Sequence, residues 1–190
     1  IYLYMLLKKI NTFILILIMT LVIKKNNSDE ILFDNFGNIT EKKWEFISDQ
    51  VMGGVSFGEH QIVSEEGINF IRLTGFVSLE NNGGFIQVRK KLSNNTNNEF
   101  KGIKFKCRGN NKEYFIHLRT KFTLLPWQYY QSKFFASENW SEYKLDITSF
   151  VRSGAFLPRN INSKHIKSLA IVAFGKKHRV NLEISKITFY

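Results

Sequence analysis

Two glycine pairs, each ending a string of apolar and small polar residues, constrain this chain more than any other feature. The first pair sits in Trp44-Glu45-Phe46-Ile47-Ser48-Asp49-Gln50-Val51-Met52-Gly53-Gly54-Val55-Ser56. The second sits in Leu79-Glu80-Asn81-Asn82-Gly83-Gly84-Phe85. A residue without Cβ either turns the chain through positive φ or lets another group come close to the backbone. One Gly-Gly is ordinary turn chemistry. Two of them, in this order and inside these longer strings, predict fixed bends in a folded body.

The segments around those bends alternate with period two, the repeat of a half-buried strand. Phe70 to Leu79 and Phe85 to Lys90 do so on either side of the Asn81–Gly84 turn, which predicts a hairpin. Gly102 to Arg108 and Tyr114 to Thr120 flank the Gly109-Asn110-Asn111 turn in the same way. Further strands are expected at Tyr129–Phe135, Tyr143–Ile147, Ser168–Phe174 and Val180–Tyr190. Helical periodicity is absent; Ser149 to Phe156 has room for one turn. Short strands spaced by polar turns indicate an all-β sandwich or barrel. Ser93 to Asn98 reads as a polar loop.

Composition agrees with a packed body: eighteen Phe and three Trp against two Pro. A lone cysteine, Cys107, excludes an intrachain disulfide and a cysteine metal site. It alternates with Ile103 and Phe105 and reads as a small buried hydrophobe. The net charge of +11 is unevenly spread. Residues 26–88 hold three basic residues against ten acidic ones, whereas residues 89–190 hold twenty against six. A cationic surface facing an acidic partner is one consequence, and a solvated lysine-rich sheet face is the other.

The strings themselves carry a resemblance. The chain resembles the complex I intermediate-associated protein family on four segments: Trp44 to Ser56, Leu73 to Phe85, Arg108 to Tyr114, and Trp140. Leu73 stands where the family has Phe, and Asn111 replaces the second glycine of its turn. The resemblance extends from about residue 32 to the end. It implies a galactose-binding-like jelly roll of two antiparallel sheets. It marks Trp44, Met52, Gly53, Gly54, Ser56, Asn81, Gly83, Gly84, Phe85, Gly109, Tyr114 and Trp140 as motif residues with mainly structural roles. It further implies a module that helps to assemble respiratory NADH:ubiquinone oxidoreductase by holding partner subunits.

Strand parity assigns candidate binding residues. With Ile103, Phe105 and Cys107 inward, Lys104, Lys106 and Arg108 point outward. With Tyr114, Ile116 and Leu118 inward, Phe115, His117 and Arg119 point outward. Paired across the Gly109 turn, these make one cationic, aromatic-decorated face, which Gln87 and Arg89 extend. Such a face suits a carboxylate, a phosphate or an acidic protein, because arginine donates in a planar fork. Asp49 is either a ligand-contacting acid or the cap of a turn. Met52 reads as a core plug.

Catalytic groupings are missing. His60, His117, His165 and His178 show no metal-ligand spacing, and no nucleophile elbow, P-loop or dinucleotide fingerprint occurs. No enzyme activity, cofactor or metal is therefore expected. Nucleic-acid binding is disfavoured, because the aromatics fall mostly on the inward parity. A protein partner is the leading expectation. The alternative is a carbohydrate or envelope polymer, for which Trp127, Tyr129 and Tyr130 exposed in one groove would speak.

Residues 1–27 read as an appendage to a domain spanning 28–190. Lys8 and Lys9 precede an apolar run from Ile10 to Ile23, followed by Lys24 and Lys25. That is the layout of a bacterial-type export signal or membrane anchor, and the stretch lacks the arginines of a mitochondrial presequence. Membrane association or export is the corresponding expectation.

Overall fold

The computed structural model describes residues 30–37, 43–92 and 99–190. The expected signal or anchor at 1–27 and the polar loop at 93–98 lie outside them. Twelve strands follow one another: β1 (Ile31–Asp34), β2 (Trp44–Ser48), β3 (Phe57–Glu65), β4 (Ile68–Val77), β5 (Phe85–Lys91), β6 (Gly102–Gly109), β7 (Lys112–Thr120), β8 (Tyr130–Ala136), β9 (Ser141–Asp146), β10 (Val151–Arg152), β11 (Ile166–Phe174) and β12 (His178–Phe189). Only short 3-10 turns interrupt them; no α-helix occurs among the described residues.

The strands form two antiparallel sheets. The first has the order β3-β4-β12-β6-β9, with β1 also paired to β12, and the second runs β10-β8-β7-β11-β5-β2. Consecutive strands pair directly at β3–β4 and β7–β8 alone among the described elements. Nearly every other connection crosses from one sheet to the other, which is jelly-roll wiring.

Both hairpins expected from the turns at Asn81–Gly84 and at Gly109 are therefore corrected. β4 lies in the first sheet and β5 in the second; β6 lies in the first and β7 in the second. Close packing explains the glycine at the second crossing. A Cβ on Gly109 would fall 2.8 Å from Ala136 Cβ in one sheet and 2.9 Å from Asn181 O in the other. The turn is wedged between the two layers.

Parity itself holds. Ile103, Phe105 and Cys107 from β6 and Tyr114, Ile116 and Leu118 from β7 are all buried in the core between the sheets. Phe105 meets Phe134 of the opposite sheet edge-on at 4.9 Å, a geometry contributing about 0.5–1.5 kcal/mol beyond area burial. Tyr114, fully buried, keeps its hydroxyl satisfied by donating to Asn110 Oδ1 at 2.6 Å. Trp44 is also core, its Nε1 donating to buried Asp34 at 2.8 Å.

Candidate functional site

The twin-glycine strings meet at one buried carboxylate. Asp49 opens the 3-10 turn Asp49–Met52 and has no exposed surface. It accepts the amides of Ser56 at 2.9 Å, Gly84 at 2.6 Å and Phe85 at 3.2 Å, and also the Ser56 hydroxyl. The Ser56 oxygen in turn accepts the Ser78 amide at 2.9 Å. The glycines make room for this hub. A Cβ on Gly54 would sit 2.3 Å from Asp49 Oδ1, and one on Gly83 would sit 2.5 Å from Oδ2. Burial pushes the Asp49 carboxyl up, but the four donors outweigh it and hold the group below its ordinary value. Asp49 is thus a tie between two inter-sheet bends, with no surface left to offer a ligand.

The turn that Asp49 anchors throws Val51 and Met52 outward. Met52 is 58% exposed, so it is no core plug. With Val51 it walls a groove of about 530 Å³ on the outer face of the second sheet. Pro126, Trp127 and Tyr129, from the β7–β8 connection, form the opposite wall. Small side chains on central strand β11, Ser168 and Ala170 with Val172, keep the floor low between them. Phe174, Phe85, Ile47, Gln87 and Ser153 add to the apolar and polar lining, together with Arg89, His117 and Arg119. No carboxylate is among these lining residues.

The charged groups of the groove are distinct in character. Arg89 donates to Glu45 at 2.8 Å. Arg119 has no carboxylate partner among the described residues; it donates to the carbonyls of Thr123 (2.9 Å), Leu125 (3.0 Å) and Pro126 (3.4 Å). Burial and the neighbouring Arg89 charge both disfavour its cation. His117 is 6% exposed and stacks on Tyr129 at 4.0 Å. Burial drives its pKa down to about 3, against a weaker opposing contribution from Gln131, so the ring is neutral at physiological pH. Its Nε2 is buried without a hydrogen-bond partner, and so is Gln131 Oε1 on the neighbouring strand.

The other predicted cations lie elsewhere. Lys104, Lys106 and Arg108 do point outward, but from the first sheet, whereas Arg89, His117 and Arg119 belong to the second. The single cationic face is corrected: period two sets which way a side chain points, and only pairing sets which sheet carries it. The first sheet's face is also largely neutralised. Arg108 ion-pairs with Glu183 and, at 2.8 Å, with Glu65. Arg72 meets Glu183 from the other side at 2.6 Å. The Arg108 guanidinium also covers the Trp140 ring at 5.0 Å, giving that motif residue a packing role. Lys104 pairs with Glu142 at 3.4 Å, and Lys106 lies opposite Glu142 in register.

Of the aromatics expected to sit together for a sugar, Trp127 and Tyr129 line the groove. Tyr130 does not: it is core, its hydroxyl donating to Pro158 O at 2.9 Å. Val51, Phe174 and the small β11 residues were not legible as site residues, because nothing local marks a low floor. No group of three or more His, Cys, Asp or Glu able to hold a metal ion is present among the described residues.

Two antiparallel sheets wired as a jelly roll, with a groove across the outside of one, define the class of the protein. Solved structures share this fold. The family 11 carbohydrate-binding module of a cellulosomal cellulase of Clostridium thermocellum aligns with a TM-score of 0.68 at 14% identity, over 84% of this chain and 93% of that one. The same module in complex with a β-1,3-1,4-mixed-linked tetrasaccharide aligns with 0.67 at 14%, over 84% and 94%. The K2 cleaved adhesin domain of Lys-gingipain gives 0.52 at 11%, over 85% and 99%. A search of curated proteins gave no match. The family model for Complex I intermediate-associated protein 30 matches residues 33–184, and the chain belongs to that family.

Proposed function

We propose that this protein is a non-catalytic binding module that holds a protein partner during assembly of NADH:ubiquinone oxidoreductase, and that it grips the partner in the groove of the second sheet. The family is that of a complex I intermediate-associated protein, which supports an assembly role. The observation that carries the choice of surface is the groove's lining: exposed Met52, Val51 and Trp127 above two guanidiniums, with no acid among them. Aromatic residues, methionine and arginine are the side chains that protein interfaces favour. Arg119, with no carboxylate partner among the described residues, beside apolar walls suits an extended segment carrying both apolar side chains and a carboxylate. With its pKa pushed down to about 3, His117 is a weak base near neutral pH, which fits holding better than proton transfer.

A tagged form of this chain, compared with its Met52→Asp/Arg89→Glu variant, tests this. Respiratory-complex subunits should co-purify with the former and drop at least about tenfold with the latter, given charge reversal in a buried contact. Equal recovery would remove the groove from the function, and recovery of none by either would remove the assembly role. A sugar-binding reading has one observation of its own, Trp127 and Tyr129 in the same groove. Saturable binding of a soluble β-glucan, abolished by Trp127→Ala, would install it instead.

A further inference from the structure

Two neighbouring loops at one end of the second sheet display large apolar side chains to solvent. In the β7–β8 loop, Leu124 is 83% exposed and Trp127 62%, with Phe122 and Leu125 also exposed. In the loop after β10, Phe156 is 99% exposed. The loops are fastened together: Ser153 Oγ donates to Trp127 O at 3.0 Å and accepts the Tyr129 amide at 3.0 Å, and the Ser153 amide donates to Tyr129 O at 2.9 Å. Apolar display of this kind on two fastened loops marks a contact surface.

The backbone of these loops tells more than their exposure. Arg119 donates to three carbonyls of the first loop, and Gln128 Oε1 accepts the amides of Leu124 at 2.8 Å and Leu125 at 3.0 Å. The Phe122 amide donates to Thr120 Oγ1 at 3.2 Å. In the second loop, Arg152 Nη1 donates to Ala155 O at 2.7 Å and Leu157 O at 2.6 Å. In both loops, several backbone groups are thus held by side chains of the chain itself, while the large apolar side chains face solvent. That arrangement suits entry into a medium without water, where an unpaired peptide group costs several kcal/mol by transfer measurements. A protein interface makes no such demand, since it can supply its own partners.

Charge points the same way. No Asp or Glu occurs from residue 114 to 137 or from 147 to 182. Lys121, exposed and set 5.2 Å from the Phe122 ring, and exposed Arg159 lie beside the apolar tips. Cations flanking apolar tips are the composition that anionic lipid surfaces attract.

We propose that the loops 121–128 and 153–157 form a docking edge that inserts Leu124, Trp127 and Phe156 into the surface of an anionic bilayer. The edge borders the groove and shares Trp127 and Ser153 with it, whereas Leu124 and Phe156 lie outside the groove's lining. Tryptophan reports on it directly. The chain has three: Trp44 is core, Trp140 packs under Arg108, and Trp127 is at the edge. None falls within residues 1–27, so depth quenching sees the edge and not that segment.

The test uses the full chain with vesicles of phosphatidylcholine and brominated phosphatidylglycerol. Emission of the wild type should be quenched and blue-shifted. Trp127→Phe should lose the quenching, and so should Leu124→Asp/Phe156→Asp, even where that variant still sediments with vesicles. Met52→Asp should leave it unchanged, which keeps this result apart from the groove reading. Replacing phosphatidylglycerol with brominated phosphatidylcholine should weaken the quenching. Sedimentation of the wild type without quenching, or equal quenching in the double-aspartate variant, would overturn the proposal. A lost co-purifying protein in that variant, with no quenching in the wild type, would overturn it in favour of a protein contact.

Discussion

Asp49 and Gly54 are coupled through less space than two atoms need, and a double-mutant cycle exposes this. Asp49→Ala deletes an acceptor for four buried donors. Hydrogen bonds to a charged group are worth about 1.5–3 kcal/mol each. Removing the ion also removes its desolvation cost, several kcal/mol in effective terms. The net loss should be about 3–5 kcal/mol, a large part of an ordinary domain's stability. Gly54→Ala acts on the same atoms. Its Cβ would lie 2.3 Å from Oδ1 and 2.4 Å from Cγ, so the carboxylate must retreat by about 1 Å to reach ordinary contact. One or two of the four bonds then break, at about 2–4 kcal/mol. With alanine at 49, the two closest of these atoms, Oδ1 and Cγ, are gone, and the Cβ contact at 2.8 Å remains. Gly54→Ala should then cost at least about 1 kcal/mol less than in the native background. Urea unfolding followed by circular dichroism measures all four corners. Strict additivity, or a Gly54→Ala protein as stable as the parent, would refute the reading of the twin glycines as room for a carboxylate.

Other outcomes follow from single groups. The His117 pKa is about 3 in the fold against about 6.5 unfolded, so the unfolded chain binds more protons between those values and stability falls as pH drops through that window. The loss should reach about 3 kcal/mol by pH 4.5, and His117→Gln should flatten that slope in pH-dependent denaturation. Cys107 is fully buried, with its thiol pushed up to about 12, so a thiol reagent should modify it only at the rate of unfolding. Glu183→Ala leaves Arg72 without its carboxylate and Arg108 with Glu65 alone, and should cost about 2–4 kcal/mol, whereas Arg108→Met should cost less; equal effects in thermal melts would contradict that ranking.

The outward parity of Arg89, Lys104, Lys106, Arg108, His117 and Arg119 was readable before any coordinates, as was the inward parity of Cys107 and Tyr114. Pleating alternates side chains strictly, so one apolar residue facing the core assigns its neighbours. The all-strand class follows from the same repeat, and the family from the strings around Trp44, Gly54 and Gly83. Met52 was misplaced because its burial is decided by a turn that Asp49 holds from within. Asp49 stayed open between a ligand-contacting acid and a turn cap because two of its donors, Gly84 and Phe85, lie 35 and 36 residues away in sequence.

Local chemistry thus fixed what each segment is and which way each side chain points. Tertiary pairing alone decided which sheet receives it, since Ile116 opposite Ser132 and Cys107 opposite Ser141 are long-range choices that no period encodes. That choice separated the cations of β6 from Arg119 of β7, paired the first set with acids, and left Arg119 lining a groove with no carboxylate partner among the described residues.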